Sequence, residues 1–414
     1  MRTRSTMNTT ARFYLAVFVP FGCAYLISYG LRTVNAAIAP QLTREFGLDA
    51  AQLGFLTAAY FLAFAFTQLP LGSFLDRFRP RRVESVLMLI CAAGCFVFAM
   101  ATSASGLILG RALIGIGVAA CLMATLRTFG LWLAKERLPA MNGYMLAVGN
   151  AGAILSTAPV LWVLGFITWS QMFAMVGFLS IGVSLWLAFI VPDPPSHTEL
   201  GSTGASVPVS VVLRSPLFWA IAPITCFTNA MGLAVQGLWA GPWLVDVVGM
   251  SPRDIGGYLL LISAGMFASN LLLGLWMGRV AARGGNAVGF ASIACIGAVL
   301  GLLPLSLSWS SQPALWLTFF GLTHVAGNLV FAALTPKFPN GVAGRLSTII
   351  NFMMFGLGFV LQWCIGLIVN RYPTDTPGRY APAGYETAFL LVFAIEVALL
   401  VWTFFALRRA LKVA

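Results

Sequence analysis

The chain has 414 residues, 59% of them hydrophobic and only 9% charged, with a formal net charge of +12. A soluble protein carries roughly 25% charged residues, and a water-soluble fold of this composition would expose more apolar surface than solubility allows, whereas a bilayer favours that surface. A soluble domain is therefore excluded. An enzyme is also excluded on inventory, since there are two histidines, no phosphate-cradling loop after a strand and no nucleophile beside a base.

A helix needs roughly 20 largely apolar residues to cross the hydrocarbon core. Twelve stretches of that kind follow one another, at 14–38, 51–74, 84–103, 106–131, 140–164, 169–191, 216–244, 254–278, 286–305, 313–335, 345–370 and 385–407. The spacing predicts an all-α membrane protein of twelve transmembrane helices, because a β-barrel would read as ~10-residue alternating segments. Met1 to Arg12 leads into a span of full length with no small-residue cleavage site, so the first span is expected to be retained. The seven cysteines all fall within spans and are odd in number, which implies no disulfide framework; they read as small hydrophobes.

The positive charge follows the loops. With the N-terminus cytoplasmic, 17 Lys and Arg lie on that side, among them Arg77, Arg79, Arg81 and Arg82, and four lie opposite, Arg44, Arg253, Arg371 and Arg379. The positive-inside rule then places both termini in the cytoplasm of a bacterial-type inner (plasma) membrane. This distribution reports topology and implies no nucleic acid as partner.

Two spans carry a buried arginine. Arg32 lies about six residues before the end of the first span and Arg111 about five residues after the start of the fourth, which at 1.5 Å per residue puts both roughly 8 Å below the same boundary. An ionisable group in a span costs about 2.5–3.5 kcal/mol at the centre on insertion scales, so each should face a cavity or a partner. His324, midway along the tenth span, and Glu396, midway along the twelfth, are the candidate proton-coupling residues. Arg127 lies near the end of the fourth span that faces the basic loops.

Sliding the chain against itself exposes a duplication. At an offset of 202, Pro40, Gly47, Gly54, Gly72, Arg77 and Arg81 coincide with Pro242, Gly249, Gly256, Gly274, Arg279 and Arg283. The first span thus matches the seventh and the second the eighth. The chain divides into an N-terminal six-helix bundle (1–191), a polar cytoplasmic linker (192–215) and a C-terminal six-helix bundle (216–414). Parallel repeats of this kind place a solute site near the midplane between halves that alternate in access.

The loop Gly72-Ser-Phe-Leu-Asp-Arg-Phe-Arg-Pro-Arg-Arg82 resembles the G-x-L-x-D-R-x-G-R-R signature of the major facilitator superfamily, with Pro80 near the usual Gly and, in the second copy, Gly278 in place of the acid. Gly110-Arg-Ala-Leu-Ile-Gly-Ile-Gly in the fourth span is similar to the family's R-x-x-x-G-x-G motif. The resemblance implies two pseudo-symmetric bundles around a central cavity lined by the first and fourth spans, where Arg32 and Arg111 would converge. Two cations there suit a carboxylate, phosphate or sulfonate, so the expected cargo is a small organic anion. Tyr29, Asn150, Gln236, His324, Asn328 and Asn351 are further candidate binding residues, alongside Asn35, Asn229, Asn270 and Gln362 as polar lining. The loop implies gating by Asp76, Arg77, Arg81 and Gly72, with Asp76 accepting charge-assisted hydrogen bonds.

Tyr-Gly-Leu-Arg32 resembles the start of the anion:cation symporter branch, but Leu31 and Val118 stand where that branch carries acids, so symport by that route is in question. The coupling ion is a proton, a sodium ion or none. Gly149-Asn150-Ala-Gly152 is similar to the nitrate porter signature, without its arginines in the second and eighth spans. The alternatives are a proton-driven exporter of drugs or metabolites, although Gly149 to Pro159 lacks G-x-x-x-G-P, and a copper importer using Met141, Met145 and the cysteines. No cofactor and no resident metal are implied, and the expected state is a monomer.

Overall fold

In hydrocarbon every backbone N–H and C=O must be bonded within its own segment, and the apolar runs accordingly fold as helices. The computed structural model of the protein describes residues 13–134, 136–193, 209–283, 285, 287–329, 343–372, 374–376 and 378–413. No strand occurs among them. The first span is a π-helical turn (Tyr14–Phe18), α1 (Val19–Thr33) and, beyond a break at Val34, α2 (Asn35–Phe46). It therefore runs past the expected end at 38, to Gly47, whose φ of 62° stops it. The second and third spans are α3 (Ala50–Arg77) and α4 (Pro80–Ala99), the latter opened by a proline that needs no N–H bond there.

The fourth span is also interrupted: α5 (Ala104–Gly117), capped by the Ser103 hydroxyl, ends before residues 118–120, and α6 (Cys121–Trp132) resumes it. The fifth comprises α7 (Leu138–Leu155) and α8 (Ala158–Val163), and the sixth α9 (Trp169–Leu185) and a π-helical turn (Trp186–Ile190), started by a capping box of Thr168 and Gln171. A short α10 (Val209–Leu213) precedes the seventh span, built from α11 (Pro216–Ala234), a π-helical turn (Val235–Trp239) and α12 (Ala240–Asp246). The remaining helices are α13 (Ile255–Ala282), α14 (Ala287–Ser306), α15 (Pro313–Thr323), α16 (Ala343–Val369) and α17 (Pro382–Val413).

Ten helices of the described residues are long and apolar enough to cross a membrane. The ninth span, α14, and the tenth, which begins with α15 and runs towards residues outside the description, complete the twelve. Most of the expected linker, residues 194–208, lies outside the described residues.

Packing separates the chain into two compact units: residues 1–32, 59–156 and 162–203, and residues 33–58, 157–161 and 204–414. They differ from the halves 1–191 and 216–414 in residues 33–58 and 157–161, which count with the second unit. The reason is close backbone contact. A Cβ on Gly241 would lie 2.0 Å from the Ala36 carbonyl oxygen, one on Gly54 2.7 Å from that of Gln362, one on Gly366 2.4 Å from that of Ala50, and one on Gly256 2.9 Å from Ala158 Cα.

The duplication is visible in these details. Gly47 and Gly249, 202 positions apart, both hold a left-handed backbone, with φ of 62° and 80°. Gly54 abuts the eleventh span and Gly256 the fifth, so matched glycines meet matched partners.

In the first unit, glycine again sets the distance between helices. A Cβ on Gly115 would sit 2.3 Å from the Tyr60 carbonyl oxygen and one on Gly117 2.2 Å from Cys91 N. Gly115→Ala should therefore lower stability by about 1–3 kcal/mol through overpacking, whereas Gly182→Ala, at a site with nothing within 4 Å, should not. Equal thermal midpoints for the two variants in detergent would rule out this packing.

Candidate functional site

The two buried arginines meet around one tyrosine of the first unit. Arg32, at the end of α1, is 6% exposed and Arg111, on α5, is fully enclosed. Arg32 places its guanidinium 4.4 Å from the Tyr29 ring centroid and 5.4 Å from that of Phe64, and hydrogen-bonds to the Tyr60 hydroxyl. Arg111 lies over the face of the same Tyr60 at 4.9 Å and donates to the Leu31 carbonyl oxygen at 2.7 Å. Tyr60 itself donates to the Ser28 carbonyl at 3.5 Å. Its hydroxyl and ring therefore serve one arginine each.

Arg111 Nε and Nη2 have no hydrogen-bond partner among the described residues. The anchoring Tyr60 was not singled out in the sequence, where it sits in an apolar run, Thr-Ala-Ala-Tyr-Phe-Leu. A lone tyrosine in the middle of an apolar span was the available signal. Gln68 is a second such residue: its amide donates to the Ala119 carbonyl at 2.9 Å, satisfying an acceptor released by the break between α5 and α6.

The other candidate binding residues are dispersed. Asn150 donates to Leu146 O of its own helix at 2.8 Å, as do Asn229 to Thr225 O and Asn270 to Met266 O. Gln236 bonds to Ser263 Oγ at 3.0 Å, Asn35 to Thr57 Oγ1 at 2.9 Å, and Gln362 spans to Ala234 O at 3.3 Å. Helix-to-helix bonding therefore occupies these amides. Asn328 is exposed and Asn351 half-buried. Trp239 and Trp243, at a position where aromatic residues ordinarily sit at the membrane interface, are instead fully buried, with Trp239 donating to Gln362 O at 3.2 Å.

The coupling candidates are enclosed as well. His324 stacks on Phe320 with centroids 3.8 Å apart, and neither ring nitrogen has a well-formed hydrogen bond among the described residues. Glu396 accepts from Thr228 Oγ1 at 2.9 Å, while its second oxygen has no partner among the described residues. A second enclosed acid, Glu84 on α4, was not singled out in the sequence because it stands only two residues after Arg82, where a loop charge was expected.

On the face bearing the basic loop, Asp76 pairs with Arg127 of α6 at 2.7 Å. Arg81 donates to the Ala188 and Val191 carbonyls at 3.2 and 2.6 Å and reaches Asp193 at 3.0 Å, and Arg79 pairs with the same carboxylate. Arg77 is exposed beside the Phe78 ring, and Gly72 has nothing within 4 Å. Of the four expected gating residues, Asp76 and Arg81 are the two that reach other segments through charged contacts among the described residues. Arg81 closes the end of the sixth span, whose last carbonyls need donors.

Within the second unit, Asp246 accepts from Tyr385 at 2.7 Å and from Arg379 at 3.4 Å, and Arg379 also bonds to the Val245 carbonyl. The neighbouring Tyr380 donates to Leu48 O at 3.0 Å and shares a 3.2 Å bond with Thr43 Oγ1. Burial pushes this phenol above its ordinary range, which keeps it a donor.

The family model of the Major Facilitator Superfamily matches residues 21–362. The hexuronate transporter of Escherichia coli K12 is 25% identical, over 97% of this chain and 96% of its own length. The probable sulfoacetate transporter SauU of Cupriavidus necator is 25% identical over 86% of each chain. Among solved structures, a bacterial homolog of the human lysosomal transporter Spinster superposes with a TM-score of 0.79 at 18% identity, covering 97% of this chain and 98% of its own.

The Asp76–Arg127 pair is 69% and 32% exposed, so it contributes at most about 1 kcal/mol to stability. If it acts as a gate, Asp76→Asn should change the transport rate several-fold while leaving the thermal midpoint within about 2 °C. Unaltered transport would remove the gating role.

Proposed function

The chain belongs to the Major Facilitator Superfamily, and within that family we propose that it carries a small organic anion of the carboxylate class by alternating access, with Arg32 and Arg111 as the charge that selects it. Like its relatives it is a membrane transporter and not an enzyme. The observation that carries the cargo assignment is the pair of enclosed guanidiniums sharing Tyr60. Enclosed cations are costly without counter-charge, and Arg111, whose Nε and Nη2 have no hydrogen-bond partner among the described residues, is held by a carbonyl and a phenol ring. An anion supplies counter-charge there.

Arg32, at the end of α1, is the contact residue, since a planar fork with several donors suits a bidentate carboxylate. Arg111 is held by Leu31 O and by Tyr60 and acts as the fixed second cation behind it. Tyr29, lying against Arg32, offers a hydroxyl to a polyhydroxylated or sulfonated cargo. The named cargoes of two relatives, a hexuronate and sulfoacetate, are both small organic anions, which supports the reading.

Addition of a hexuronate to the purified protein should raise its thermal midpoint, by the equivalent of about 2.7 kcal/mol at a hundred times Kd. Arg32→Gln should weaken that binding by at least about ten-fold, or 1.4 kcal/mol, and Arg32→Lys should restore only part of it because the fork is lost. Stabilisation by hydrophobic cations alone, or an Arg32→Gln protein that binds hexuronate as before, would reject the anion assignment.

A further inference from the structure

Glu84 lies four residues after Pro80, about 6 Å along the axis of α4. Its side chain has no exposed surface, and neither carboxyl oxygen has a hydrogen-bond partner that meets ordinary geometry among the described residues. The polar group it faces is the Cys121 thiol, at the first residue of α6 just after the break in the fourth span. Cys121 in turn faces Ser28 of α1, with Cys91, Tyr25 and Arg32 around it. Ser28 is the residue whose carbonyl receives the Tyr60 hydroxyl. Two residues, Cys121 and Ser28, therefore stand between the acid and the tyrosine that joins the two arginines.

Among the described residues, the elements packed on α4 bring no cation to this carboxyl: Arg127, from α6, pairs with Asp76. Arg111, from α5, acts on Cys91 and Cys95. From α9 come Ser170, Ser180 and Ser184, bonded towards Ala99, Cys91 and Ser85. Arg79 and Arg81, beside it in sequence, are engaged by Asp193. An ionised carboxylate enclosed without a cation or a good donor is far costlier than the neutral acid, so this conformation favours the acid form.

We propose that Glu84 is a proton-binding site of the transport cycle, loaded from water on one face of the membrane and emptied on the other in step with the anion. The proposal rests on the anion reading above. Its logic is electrostatic: with Glu84 neutral the interior of the unit holds two arginine cations and attracts an anion, and with Glu84 ionised that attraction is partly cancelled. Proton and anion therefore favour each other's binding, and by linkage each is released more readily once the other has left. The proton moves from water to the carboxylate oxygen and back to water, and no bond of the cargo changes. Glu84 thus supplies the acid that Leu31 and Val118 do not.

The experiment uses the full chain in proteoliposomes, with a labelled hexuronate as probe. Wild-type protein should accumulate it about ten-fold per unit of inward pH gradient, the limit for one proton per anion. Glu84→Gln should exchange hexuronate across the membrane within about two-fold of wild type but reach no accumulation, and Glu84→Asp should recover it. Accumulation by Glu84→Gln equal to wild type, or a wild-type protein indifferent to the gradient, overturns the proposal while leaving the anion site standing.

Absence of any hexuronate exchange by wild type would instead sink the anion reading. A measurement without cargo then decides on Glu84: the carboxylic-acid carbonyl band that infrared difference spectra show on passing from acid to alkaline buffer must be diminished in Glu84→Gln. Identical bands in the two proteins refute proton binding there.

Discussion

A guanidinium with no solvent contact has to be held by something other than water, and in this protein that requirement organises the first unit. Arg111 is fully enclosed, and its ties are a carbonyl oxygen at Leu31 and the face of Tyr60. For the carbonyl to be available, the first span must present Leu31 just before its break at Val34. For the ring to be available, α3 must approach α5 so closely that only a glycine, Gly115, fits beneath the Tyr60 carbonyl. The same ring then carries Arg32 on its hydroxyl. One buried charge thus ties three spans together, and the second charge is positioned by the same contacts.

Glycine performs the corresponding task in the second unit, at longer range in sequence. Gly241 against Ala36, Gly54 against Gln362 and Gly256 against Ala158 let backbones touch where side chains would hold them apart. In a membrane such contacts matter more than in water, because lipid offers no hydrophobic drive for one apolar helix to prefer another, and close van der Waals packing remains. The polar bolt of Asp246, Arg379, Tyr380 and Tyr385 lies in the same unit and adds directional bonds to the end of α2 and the turn after it, at Thr43 and Leu48. Together these explain why residues 33–58 belong by packing to a unit made largely of the second half of the chain.

The charged loop of the superfamily motif divides its labour. Arg79 and Arg81 gather the end of the sixth span through Asp193 and two carbonyls, a fixed structural use of charge. Asp76 takes a different partner, Arg127, in an exposed pair that salt and water weaken. Of the two attachments, the Asp76 pair is therefore the weaker and the carbonyl-bound Arg81 the firmer.

How much was legible in the sequence follows from which forces are local. The twelve spans, the membrane setting and the family motif could be read because span length, apolar content and loop charge are properties of contiguous residues. The duplication could be read because Gly47 and Gly249 must both turn left-handed, a demand on the residue itself. What the sequence could not supply was direction around each helix. Asn150, Asn229 and Asn270 looked like cavity lining but bond to their own helices, while Tyr60, Gln68 and Glu84 looked unremarkable and turned out to occupy the buried polar positions. Tertiary packing decides that, because a span with hydrophobic residues on every side has no amphipathic stripe to mark its inner face, and only the neighbouring helices determine which polar group is enclosed and with what.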